Sequence, residues 1–209
     1  MKLFSFLEEN ATSYELAQRL VSLNYRVFLR ELRAESFFEP GKSYLDVGCG
    51  TGFLRDYLQQ ADYLGVDLNP KYIAAAKRKR GDCFQVGNAL ELDAIGRKFD
   101  RVVCVGLLHH LDDGQVRRAL SQCCARLKAG GELFIIDALM PEGKNPVGRA
   151  LRESDNGAHV RLLGGWKELF ATELEIRKLR PVSQWPFDYV FLRATGRCTT
   201  GSSLIERPA

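Results

Sequence analysis

The chain has 209 residues, 45% of them apolar and 27% charged, which suits one globular domain with a modest elaboration and excludes a disordered or fibrous protein. A net charge of +4 does not call for an anionic partner, and six scattered cysteines without a CxxC pair or a histidine at ligand spacing indicate neither a disulfide scaffold nor a metal site. No apolar window reaches the roughly 18 residues of a membrane span, and Met1–Leu7 is interrupted too soon by Glu8, Glu9 and Asn10 to act as a secretory core, so no span and a cytoplasmic location are expected.

Leu16, Leu20, Val21, Val27, Phe28 and Leu32 form a helical stripe, which predicts a helix from Thr12 or Ser13 to about Phe38, stopped by Pro40-Gly41. Residues 1–40 thus read as an N-terminal helical cap. Tyr44–Val47 predicts a first strand, followed by a glycine-rich turn and a helix over Phe53–Gln60. Strand Tyr63–Asp67, helix Pro70–Arg80 and strand Cys83–Val86 continue the alternation. Phe99–Val105 is a nearly all-apolar run, as expected of a central parallel strand covered on both faces. A helix from Asp112 or Asp113 to Lys128 is closed by Gly130-Gly131, and Leu133–Asp137 is a fifth strand. Met140–Gly157, with two prolines and three glycines, reads as a long loop or partial helix of the kind that covers a site. A helix over Val160–Ala171 precedes strands Leu174–Leu179 and Phe187–Ala194, joined by a turn holding Pro181 and Pro186 as an antiparallel edge hairpin. Residues 196–209 read as a flexible tail. Strands alternating with helices imply right-handed crossovers and a doubly wound α/β sheet.

The first turn reads Asp46-Val47-Gly48-Cys49-Gly50-Thr51-Gly52. Glycines there let the chain turn sharply and let a ligand approach backbone N–H groups. A pyrophosphate fingerprint would place its third glycine at position 53, which is Phe53, so the dinucleotide reading weakens. Asp67, nineteen residues after Gly48, ends the second strand where a carboxylate can accept from both ribose hydroxyls. LDVGCGTG at 45–52, GVDLNP at 65–70, GNALEL at 87–92 and FDRVVCVGLLHHL at 99–111 together resemble the ordered motifs of class I S-adenosylmethionine-dependent methyltransferases of the small-molecule type. The resemblance implies a seven-stranded Rossmann-like sheet, mostly parallel with an antiparallel edge strand, as the methyltransferase domain over 41–195. It implies S-adenosylmethionine as cofactor, with Asp46, Gly48, Cys49 and Gly50 facing its amino acid half, Asp67 on the ribose and Leu68 against the adenine. Asn88, where the family usually has Asp, would accept from the adenine amino group without charge assistance, and Ala89 would offer its N–H. Gly106 and Leu107 would line the methionine arm.

A sulfonium methyl is already activated, so the protein must align donor and acceptor and, for a hydroxyl acceptor, remove a proton. The three histidines are therefore the catalytic candidates. His109 and His110 follow the fourth strand; His109 would line the acceptor pocket, and His110 would do so or pack at the following helix start. His159 and Arg161 would contact the acceptor or belong to a surface helix start. Tyr14, Tyr25 and Arg26 of the cap are substrate-binding candidates or ordinary packing and surface residues, and packing is the favoured role for Trp185, Phe187 and Tyr189. The reading is methyl transfer to a small-molecule or lipid-like acceptor at oxygen. RNA methylation, suggested by Lys71, Lys77, Arg78, Lys79 and Arg80, and a non-catalytic cofactor-binding scaffold are the alternatives; nucleic acid is not the expected partner.

Overall fold

The computed structural model of the protein describes residues 23–143, 145–154 and 158–197, with side chains from Tyr25 onward. Tyr14, the first half of the expected cap and all but the start of the expected tail lie outside the described residues. Helix α1 (Leu23–Ala34) leads into strand β1 (Ser43–Val47), whose five residues are all buried. A 3-10 turn (Phe53–Tyr57), β2 (Asp62–Asp67), α2 (Pro70–Arg80) and β3 (Phe84–Val86) follow. Next come β4 (Phe99–Val105), a 3-10 turn (Leu108–His110), α3 (Asp113–Ala125) and β5 (Leu127–Leu139). Helices α4 (Pro146–Glu153) and α5 (Leu163–Glu173) precede the hairpin β6 (Leu174–Gln184) and β7 (Phe187–Gly196).

The seven strands lie in the order β3-β2-β1-β4-β5-β7-β6, with β4 at the centre, as its apolar run predicts. β1, β2, β3, β4 and β5 pair in parallel. β7 runs against both β5 and β6, so the antiparallel hairpin closes the sheet edge with β6 outermost. The order reverses between β1 and β4, and loops leaving their carboxyl ends open the crevice where open α/β sheets bind ligands. One apolar layer packs α3 and α5 against the sheet through Val116, Leu120, Trp166 and Phe170. The other packs α1 and α2 through Phe28, Leu32, Ile73 and Ala76. Each of the valine, leucine, isoleucine and phenylalanine side chains among them stabilises the fold by about 1.5–3 kcal/mol.

Local chemistry explains where the sequence reading shifts. The expected helix over Phe53–Gln60 shortens to a 3-10 turn because the Arg55 guanidinium donates to the carbonyls of Leu58 (2.5 Å) and Ala61 (3.1 Å), closing the segment early. Helix α3 starts as expected, on a reciprocal capping box of Asp112 and Gln115, but stops at Ala125. Gly130-Gly131 instead sits inside β5, where a side chain on Gly131 would meet the Phe99 and Asp100 carbonyls at 3.1 and 3.2 Å. The β4–β5 register shifts at that point, so these glycines serve a strand irregularity and not a helix cap. Pro181 lies within β6, opposite Val190, on the outermost strand where a missing N–H does no harm; only Pro186 belongs to the turn. The Met140–Gly157 segment does hold a helix, α4, capped by Asn145, whose side chain accepts from the Gly148 N–H.

Candidate functional site

The glycine turn after β1 is held by the neighbouring strand: the N–H groups of Gly48 and Cys49 both donate to the Val66 carbonyl, at 2.8 and 3.0 Å. Gly48, Gly50 and Gly52 have φ of 76, 55 and 84°, a region open mainly to glycine. Gly48 also permits close approach, since a Cβ there would come within 3.0 Å of Leu107, so the turns after β1 and β4 meet. The Cys49 side chain turns inward, and burial pushes its thiol pKa well up, so only its backbone lines the turn.

Asp67 ends β2 with one carboxylate oxygen accepting from Gly50 N–H (2.8 Å) and the other from Asn69 N–H (2.8 Å). Burial raises its pKa, opposed by those two hydrogen bonds. Asp46 lies beneath the turn, 2% exposed, and accepts from the Tyr63 hydroxyl at 2.7 Å. Burial pushes the Asp46 carboxyl up to about 7, against the Tyr63 hydrogen bond and helped by the charge of Asp67. Leu68, directly beyond Asp67, is 69% exposed, an apolar side chain that an adenine ring could cover. Asn88 turns its amide oxygen to Leu90 N–H at 3.0 Å, a local Asx turn that orients the side chain. Ala89 sits half-buried beside it.

At the end of β4, Gly106 (φ 65°) is exposed and Leu107 half-buried. The 3-10 turn that follows is organised by a residue the sequence reading did not single out. Asp137, near the end of β5 and 1% exposed, accepts from the N–H groups of Leu107 (3.1 Å), Leu108 (2.6 Å), His109 (3.3 Å) and Ala138 (2.7 Å). It also meets His109 Nδ1 at 2.6 Å. Burial acts to raise its pKa, yet the His109 imidazole and the backbone N–H groups of Leu108 and Ala138 hold the carboxyl below its usual range. A carboxylate only accepts, so Nδ1 carries the hydrogen, and it is the neutral form of the ring that leaves the lone pair on Nε2. The His110 ring lies 4.1 Å from that of His109, on the exposed side of the turn.

His159 is exposed, and its backbone N–H donates to the His109 carbonyl at 3.0 Å. Arg161 is directed elsewhere than at an open pocket: its guanidinium donates to Asp113 (2.7 Å) and to the carbonyls of Leu111 (2.7 Å), His159 (2.9 Å) and Leu108 (3.4 Å). It also lies over the Trp166 ring. Arg161 thus braces the turn that carries His109. Tyr25 of α1 stacks on Phe53 at 3.9 Å between centroids, directly after the glycine turn, and Phe28 meets Tyr189 edge-on at 5.0 Å. Arg26 is exposed beside Ser183 and Gln184, at the hairpin end whose Asp188 pairs with Leu139, the last residue of β5. Of the aromatic trio, Tyr189 is buried and Phe187 half-buried, both under the guanidinium of Arg152 from α4. Trp185 does not pack with them; it is 79% exposed because it sits at the hairpin tip.

The structure therefore gathers Asp46, the glycines, Asp67, Gly106, Leu107 and His109 at the carboxyl ends of β1, β2 and β4, while Arg26 lies by the β6–β7 hairpin end. The signal for Asp137 is weak in sequence, a single acid ending the apolar run Leu133–Ile136.

A family model described as a methyltransferase domain matches residues 45–131. The chain is 36% identical over 101 residues to a ubiquinone biosynthesis O-methyltransferase of Coxiella burnetii, covering 45% of this chain and 42% of that protein. It is 30% identical over 153 residues to a demethylmenaquinone methyltransferase of Symbiobacterium thermophilum, covering 67% of this chain and 59% of that protein. The chain thus spans less than two thirds of the length of either curated relative. A TehB-like S-adenosylmethionine-dependent methyltransferase from Corynebacterium glutamicum shares the fold at a TM-score of 0.59 and 23% identity, over 86% of this chain and all of that one.

Proposed function

We propose that this chain, which belongs to the class I S-adenosylmethionine-dependent methyltransferases, methylates a small or lipid-like molecule at a hydroxyl oxygen. The cofactor fits the residues present: a turn of positive-φ glycines, a carboxylate ending β2 and the exposed apolar Leu68 next to it. When bound, S-adenosylmethionine supplies the activated methyl. Asp67 binds the ribose, Asp46 faces the amino acid half, and Asn88 with Ala89 borders the adenine.

The observation that carries the acceptor reading is the buried His109–Asp137 pair. A hydroxyl must lose its proton as the new carbon–oxygen bond forms, and His109 Nε2 is the lone pair available for it. Asp137, held ionised, fixes the tautomer and stabilises the imidazolium after transfer, while the Leu107 and Leu108 N–H groups fix the carboxylate. The O-methyltransferase name of the ubiquinone-biosynthesis relative supports oxygen as the atom methylated. Tyr25, His110 and His159 border the acceptor side.

The test combines titration with adenosylhomocysteine and transfer of labelled methyl into a cell extract separated into lipids, small molecules, RNA and protein. Label in the lipid or small-molecule fraction is expected. The His109→Gln variant should lose about 10²- to 10⁴-fold in turnover while binding adenosylhomocysteine unchanged. Label in RNA, or binding without any transfer, would overturn the acceptor reading; unaltered turnover by His109→Gln would remove the base.

A further inference from the structure

The end of α2 carries Lys77, Arg78, Lys79 and Arg80, a run that reads in sequence as one basic face. The structure separates Arg80 from it. Lys77, Arg78 and Lys79 are exposed, whereas the Arg80 side chain is only 7% exposed and points at the glycine turn. Its Nε and Nη2 donate to the two carboxylate oxygens of Asp56, both at 2.7 Å. Its Nη1 donates to the Thr51 carbonyl at 2.8 Å.

Thr51 stands between Gly50 and Gly52, both in the left-handed region, where the backbone has many conformations open to it and little intrinsic reason to hold one. The near side of the turn is already fixed: Gly48 and Cys49 donate to Val66, and Gly50 donates to Asp67. On the far side the Gly52 N–H donates to the Cys49 carbonyl at 2.9 Å, which leaves the Thr51 carbonyl to Arg80. A planar guanidinium that engages a carboxylate with two parallel bonds has its orientation set, so the third donor arrives at Thr51 in a fixed direction. Asp56 belongs to the short 3-10 turn after the glycines, so one side chain ties α2 to both ends of the segment from Thr51 to Asp56.

We infer that Arg80 is a positioning residue for cofactor binding: with Asp56 it clamps the Thr51 carbonyl and so holds the glycine turn in its binding shape before the ligand arrives. This rests on the cofactor reading above. Preorganisation of this kind appears as affinity, because an unclamped turn must be ordered by the ligand itself.

Adenosylhomocysteine titration and amide hydrogen exchange over residues 48–56 test it in the full chain. Wild-type binding checks the cofactor reading, and its failure would remove that reading whatever the variants do. Given wild-type binding, Arg80→Ala should weaken adenosylhomocysteine by about tenfold and speed exchange at residues 48–56. Exchange at α3, remote from the clamp, should stay as in wild type. Arg80→Lys, which keeps the charge but not the fork, should fall near Arg80→Ala, and added ethylguanidinium should restore affinity to Arg80→Ala. Should Arg80→Ala fail to fold, Asp56→Asn carries the test, since it loosens the fork while leaving Arg80 on Thr51; a severalfold weakening is expected. Affinities within twofold of wild type in the folded variants, or a loss of melting temperature without any loss of affinity, overturn the inference.

Discussion

Asp46 is a carboxylate held where water does not reach, with one hydroxyl donor. Its pKa of about 7 lies above that of an unfolded Asp, so the native state binds this proton more tightly. The contribution to stability is therefore complete below about pH 4 and declines as pH rises toward 7, where the buried group must ionise. Asp46→Asn removes that cost. At pH 8 the variant should be more stable than wild type, by up to about 4 kcal/mol on the linkage arithmetic, and the difference should vanish near pH 4. Urea denaturation at the two pH values measures it. A ligand ammonium near Asp46 reverses the preference, so adenosylhomocysteine affinity should rise between pH 6 and 8 in the wild type and stay flatter in Asp46→Asn. An equal pH slope in both proteins would remove Asp46 from the amino acid half of the site.

Helix α1 is attached to the sheet by more than its apolar stripe. Glu31 and Glu35, 3% and 7% exposed, face the last two strands. Glu31 pairs with Arg180 of β6, and Glu35 with Lys178 of β6 and Arg193 of β7. Arg193 continues to Glu132 of β5 (2.7 Å), which meets Arg101 of β4 (2.8 Å), which meets Glu39 after α1 (2.9 Å). Removing one member of such a chain strands a charge whose partners were placed for it. Glu35→Ala should cost about 1–3 kcal/mol, reduced from the fully buried case because Lys178 is half in water, and should increase proteolysis within α1 before global unfolding. A change below about 0.5 kcal/mol would mean that apolar packing alone docks the cap.

This network also marks where the sequence stops being legible. The strands through β5, the central place of β4 and the turn of Gly48–Gly52 follow from patterns within a few residues, set by the apolar runs of strands buried on both faces and by the φ values the turn demands. Glu31, Arg80 and Asp137 find their partners across crossovers or across the sheet, at distances no local pattern encodes. Arg80 accordingly reads as one more cation of a basic helix, Asp137 as the last residue of a strand, and Arg161 as an acceptor contact or part of a surface helix start. The end of α3 differs from its expected place for a related reason: Gly130-Gly131 carries a helix-stop signal, but its use is decided by the Phe99 and Asp100 carbonyls of the adjacent strand.

At the scale of the molecule the reversal between β1 and β4 divides the labour. In the proposed reading β1, β2 and β3 with the glycine turn form the cofactor side, and β5, β7, α1 and α4 border the acceptor side. The two meet at the turn carrying Leu107, Leu108 and His109. Arg161 follows the Met140–Gly157 segment, where Leu139 bridges to it and Met140 N–H donates to its carbonyl at 2.9 Å. Its side chain reaches the carbonyls of Leu108 and Leu111. The Met140–Gly157 segment and the His109 turn are thus held by one residue whose side-chain partners among the described residues, Asp113, Leu108, Leu111, His159 and Trp166, all lie outside the glycine turn and Asp67. Arg161→Ala should then lower methyl transfer by about 10- to 100-fold through misplacement of His109, with adenosylhomocysteine affinity within about twofold of wild type. The readouts are labelled-methyl transfer into the extract and adenosylhomocysteine titration of the same preparation. If affinity falls in step with turnover, the turn after β4 serves both halves equally and the division does not hold. If turnover is unchanged, Arg161 stabilises the fold without positioning the base.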